Sequence, residues 1–126
     1  GGAASNDRQY RREGRSWWPE EMPSEDETGH CRASLDRVGW KVDYVVTHEA
    51  PADLAEKLCL ERGREYRGDR LQRFLGEIDG WLDYRTWFFG HYHGDKWCDS
   101  KHRLIYQDIV SIEGTVPSSR NLLEQF

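Results

Sequence analysis

Apolar positions recur along this chain with two different periods. Leu71, Phe74, Leu75, Ile78 and Leu82 fall three or four residues apart, which predicts an amphipathic helix capped by Asp69 and weakened near its end by Gly80. Leu54 and Leu58, with Cys59 beside them, repeat the signal in a segment that Pro51 opens and that runs to about Glu61. The stretch from Gly63 to Gly68 breaks it. Ser24-Glu25-Asp26-Glu27 reads as a capping box with an acidic first turn, predicting a helix to about Val38. Gly39 is its stop, and Cys31, Leu35 and Val38 are its expected inward stripe.

The remaining apolar runs are short. Val42 to Thr47 and Thr86 to Phe89 are apolar or β-branched on both sides of a pleat, as expected of strands covered on both faces. Arg103 to Tyr106 and Asp108 to Ile112 predict two further strands, joined as a hairpin through an irregular turn. Residues 1–18 read as a Gly-rich turn and an arginine-bearing loop ending in Ser16-Trp17-Trp18-Pro19. Such an opening commonly follows a strand, which here would precede residue 1. From Gly114 the tail is polar. Helices alternating with strands predict a layered α/β or α+β fold in a single domain, without an internal repeat.

Composition narrows the function classes. Only 37 % of the 126 residues are hydrophobic while 13 % are aromatic, so burial has to lean on a few large rings. A net charge of −5 argues against general nucleic-acid binding, which needs a basic surface. The local cluster Arg8, Arg11, Arg12 and Arg15 reads as a solvated face beside Asp7 and Glu13. Cys31, Cys59 and Cys98 are odd in number and lack a CxxC, which disfavours a disulfide framework and points to a reduced, cytoplasmic setting. No run approaches the ~20 apolar residues of a membrane span.

The chemistry is concentrated in histidines. Gly90-His91-Tyr92-His93-Gly94 follows the run Trp87-Phe88-Phe89, and His48 follows Val45-Val46-Thr47. In open α/β sheets ligands gather beyond the carboxyl ends of strands, so three imidazoles are expected to converge there. An extended backbone would set His91 and His93 on one side, with glycines permitting tight turns around them. His30 and His102 read as a helix-surface residue and a strand or loop residue. Asp95, Asp99 and Asp108 read as turn or surface residues.

Thr47-His48-Glu49-Ala50-Pro51 followed by Gly90-His91-Tyr92-His93 resembles the last two motifs of the calcineurin-like metallophosphoesterases. The segment from Gly1-Gly2-Ala3 through Asp7-Arg8, Arg12, Gly14, Trp17-Trp18-Pro19 and Glu21 resembles a stretch between that family's third and fourth motifs. The resemblance implies a double β-sandwich flanked by helices, of which residues 1–126 would be the C-terminal portion with the N-terminal half absent. It implies a hydrolase acting on a phosphate ester through two divalent metal ions (Mn, Fe or Zn). His48 and His91 would hold one metal and His93 the other, with Arg8 and Asp7 as substrate contacts. The family's Asp-x-His, Gly-Asp-x-x-Asp and Gly-Asn-His motifs have no counterpart in these residues. The chain, which opens without Met, is therefore expected to hold an incomplete metal site and to be inactive alone, with no catalytic residue of its own. Two other readings compete: a mononuclear zinc module built from His91, His93, Cys98 and His102, and a non-catalytic remnant or interaction domain.

Overall fold

The computed structural model describes residues 3–4 and 8–112. Within them lie three α-helices and one mixed four-stranded sheet, an α+β arrangement. Helix α1 spans Glu25–Arg37, α2 Ala52–Glu61 and α3 Arg70–Trp81. Strands β1 (Tyr44–Thr47), β2 (Thr86–Phe89), β3 (Lys96–Trp97) and β4 (His102–Leu104) lie in the order β1-β2-β4-β3. Only β3 runs antiparallel, paired to β4. No second sheet is present among the described residues, and no helix is long and apolar enough to cross a membrane.

The caps formed as local chemistry dictates. Ser24 accepts the Glu27 N–H at 3.1 Å, and Asp69 accepts that of Gln72 at 2.8 Å while Gln72 reaches back to the Asp69 N–H. Leu54, Ala55 and Leu58 of α2 pack with Leu71, Leu75 and Ile78 of α3 over one face of the sheet, where they meet Trp87, Phe89 and Leu104. β2 is the central element, buried at all four positions, so the run Thr86-Trp87-Phe88-Phe89 is covered on both faces as its composition implies.

Three expectations need correction. Helix α1 buries nothing: Cys31 and Val38 are exposed and only Leu35 leans on the core. Its contacts with α3 include the Arg32–Glu77 ion pair at 2.7 Å and the Arg32 guanidinium 4.9 Å from the Phe74 ring centre. Secondly, β1 is an edge strand shorter than its apolar run, with Val46 73 % exposed, so it is not covered on both faces. Periodicity identifies an apolar surface but does not specify what covers it.

Thirdly, the hairpin lies further upstream. It joins Lys96–Trp97 to His102–Leu104, and Asp108–Ile112 forms no strand. The cause is Asp95, whose carboxylate accepts the N–H groups of Tyr106, Gln107 and Asp108 at 2.7–3.1 Å. Those donors are engaged by a side chain and cannot join a ladder. Burial alone would raise the Asp95 pKa, yet these backbone bonds hold it below the ordinary carboxylate value.

Candidate metal-binding and anion-binding site

Parallel pairing of β1 with β2 sets Thr47 beside Phe89, so the residues that follow each strand emerge together. The Gly90 N–H donates to the His48 carbonyl at 3.1 Å and ties the two loops. His91 Nδ1 then lies 3.0 Å from His48 Nε2, with the rings edge to face at 4.9 Å. Behind them stands Glu49, 2 % exposed, with Oε2 3.5 Å from His91 Nε2. Its Oε1 accepts the Ala50 N–H at 2.8 Å and the Tyr92 hydroxyl. Burial, and then the neighbouring Glu49 charge, push the Tyr92 phenol far above its ordinary pKa, so it stays protonated and donates. Gln72 Nε2 contacts the same hydroxyl at 3.4 Å.

The loop around the two histidines is not extended. His91 and His93 both have positive φ, 68° and 49°, whereas neither Gly90 nor Gly94 does. Left-handed backbone is costly for a side chain bearing a Cβ. Its effect is to turn Tyr92 into the core, while His93 swings out to stack on Tyr106 at 4.7 Å. At Gly94 space is tight for another reason: a Cβ there would stand 3.0 Å from Leu104 Cδ2 and 3.3 Å from Arg62 Nη2, so those side chains would have to shift by a few tenths of an ångström.

The structure thus joins two of the three expected imidazoles. His48 and His91 meet, whereas His93 is directed to Tyr106, and among the described residues no group of three or more His, Cys, Asp or Glu side chains is arranged to hold a metal ion. Burial, and then the nearby His91, lower the His48 pKa, which favours the neutral form that a ligand must adopt. Arg8 stands over the Trp17 ring at 3.8 Å and lines a cleft of about 840 Å³ shared with Glu49, His91 and His93. Asp7 lies outside the described residues. Glu49 was not singled out by its sequence context, although an acid between His48 and the apolar Ala50-Pro51 is the signal that could have marked it.

His102 is more than a strand residue. It is buried, with Nδ1 2.8 Å from Asp99 Oδ2 and Nε2 3.1 Å from Asp79 Oδ2 and 3.0 Å from the Tyr84 hydroxyl. Both ring nitrogens are engaged inside the protein, leaving no lone pair for a zinc set with His91, His93 and Cys98. Asp99 lies only three residues before His102, but linear spacing gave no hint of Asp79, which reaches the ring from α3.

Burial by itself would lower the His102 pKa, but bonds to Asp79, and then Asp99, raise it above the ordinary value. A raised folded-state pKa stabilises the fold fully below the unfolded value, about 6.5, and that contribution is lost as pH rises through the folded value. The melting temperature is therefore expected to fall as pH rises above about 6.5, and His102→Gln should flatten that limb. An unchanged slope in the variant, followed by circular dichroism, would show that the clamp does not hold a proton. The lowered His48 pKa acts in the opposite sense and only below the same unfolded value, so the two are separable.

No protein-family model, curated protein or solved structure matches the chain.

Proposed function

We propose that this chain carries the histidine-bearing part of a divalent-metal-dependent phosphoesterase of the calcineurin-like type, with His48 and His91 sharing one cation. The observation that carries this reading is the approach of His91 Nδ1 to His48 Nε2 at 3.0 Å, at the carboxyl ends of two parallel strands. Imidazole nitrogens that share one cation through bonds of ~2.1 Å stand roughly 3.0–3.4 Å apart, so the donor set fits. Glu49 Oε2 faces His91 Nε2 at 3.5 Å and favours the tautomer with its hydrogen on that nitrogen, which leaves Nδ1 as the lone-pair atom.

When bound, a divalent ion supplies a water of lowered pKa and polarises a phosphoryl oxygen. The residues of the chain do the rest. Glu49 and Tyr92 orient His91, and Arg8 presents a guanidinium to an anionic ester. Two imidazoles and no free carboxylate make an incomplete ligand set, so the remaining ligands, and the second sheet of a sandwich, belong on this reading to residues outside those described. The medium is the reduced cytoplasm, consistent with three free thiols.

Titrating the chain with Mn²⁺ or Zn²⁺ should give one equivalent of binding by calorimetry and shift the His48 and His91 imidazole resonances. Hydrolysis of an aryl phosphate by these residues alone should be negligible. A titration with neither heat nor a shift in those two rings would leave the reading without support, and the remnant-domain alternative would replace it.

A further inference from the structure

The same cleft holds a feature that metal chemistry does not use. Arg62, Arg64 and Arg67, from the segment linking α2 to α3, line it together with Arg8. Four arginines thus line one cleft on a chain whose net charge is −5. Three carboxylates also line the cleft, and each is committed: Asp69 caps α3, Glu49 holds Tyr92 and the Ala50 N–H, and Glu65 pairs with Arg67 at 3.3 Å. Arg62 and Arg64 make no ion pair among the described residues. Arg62 lies over Gly94, directly beside His93.

One guanidinium suffices for a single phosphoryl group; a row of them is suited to a ligand whose charge extends further. A volume of about 840 Å³ is that of a small-molecule site. The acidic balance of the chain disfavours a nucleic-acid strand as occupant.

We propose that Arg62 and Arg64, aided by Arg67 and Arg8, form a subsite for a second phosphoryl group, so that the substrate is a small molecule bearing adjacent phosphates, a pyrophosphate-type compound. This rests on the reading above, in which the first phosphoryl group sits at His48 and His91. Arg62 and Arg64 are then determinants of specificity, holding the part of the substrate that does not react.

The test is calorimetry on the full chain in EDTA, with inorganic pyrophosphate and orthophosphate as probes. Pyrophosphate should bind at least about tenfold more tightly than orthophosphate, as expected when two further charge-assisted contacts form. The double variant Arg62→Gln/Arg64→Gln should bring pyrophosphate to the level of orthophosphate; both side chains are exposed, and circular dichroism checks that the fold is kept. Arg73→Gln, at an exposed arginine of α3 outside the cleft, should leave pyrophosphate affinity within about twofold. Equal affinity for the two probes, or pyrophosphate binding undiminished in the double arginine variant, would overturn the subsite, as would a single-stranded oligothymidylate displacing pyrophosphate at equal phosphate concentration. The metal titration is a separate measurement, so failure of the histidine reading and failure of the arginine subsite are told apart.

Discussion

His91→Ala is expected to weaken Mn²⁺ or Zn²⁺ binding by at least about 100-fold, and Glu49→Gln by roughly 10- to 100-fold, the range found for partners that orient a ligand. The first removes one of the two nitrogens that meet at 3.0 Å. The second is the sharper test, because it leaves every ligand atom in place. The introduced amide would keep a carbonyl oxygen to accept from Ala50 and Tyr92, but it would present an NH₂ group where Oε2 of Glu49 now faces His91 Nε2. Two donors cannot face one another, so His91 would take the other tautomer and carry its proton on Nδ1, towards His48. Nitrogen-15 shifts of the His91 ring report that change directly. A Glu49→Gln variant with an unchanged tautomer and unchanged affinity would contradict the assigned role.

Trp87→Ala is expected to cost about 3–5 kcal/mol, the range for truncating a buried aromatic residue. Small domains have only about 5–15 kcal/mol in total. Trp87 has no exposed surface and packs edge to face on Tyr84 at 5.6 Å. Its indole N–H donates to Thr47 Oγ1 at 2.8 Å, and that hydroxyl donates to the Glu49 carbonyl at 2.7 Å. The loss therefore combines a cavity with a freed turn at the head of the His48 loop. Trp87→Phe keeps much of the volume and should cost clearly less. Urea unfolding followed by far-UV circular dichroism measures both, and a cost under about 1 kcal/mol for Trp87→Ala would place the centre of the core elsewhere.

Much of the scaffold was readable because it depends on neighbours in sequence. The caps Ser24 and Asp69, the stripe Leu71, Leu75 and Ile78, and the strand Thr86–Phe89 each follow from residues within a few positions. The His48–His91 encounter was readable too, since parallel strands bring their following residues to one side. What failed depends on partners distant along the chain. Nothing local says that α1 lacks a cover, that Asp95 takes three amide donors from Tyr106, Gln107 and Asp108, or that Asp79 reaches His102. The stretch from Gly63 to Gly68 read as a helix breaker, which it is; that Arg62, Arg64 and Arg67 line the histidine cleft is a matter of tertiary placement. His93 shows the opposite limit. Its motif is intact, but backbone handedness turns the ring to Tyr106.

That handedness sets stability against function within one short loop. Glycine would occupy the conformations at positions 91 and 93 with ease, whereas each side chain there is held at a cost on the order of 1–2 kcal/mol. Optimisation for folding alone would therefore erase both imidazoles. The loop is a place where gains in thermal tolerance are bought with chemistry, and stabilised versions of this protein are better sought on the exposed faces of α1.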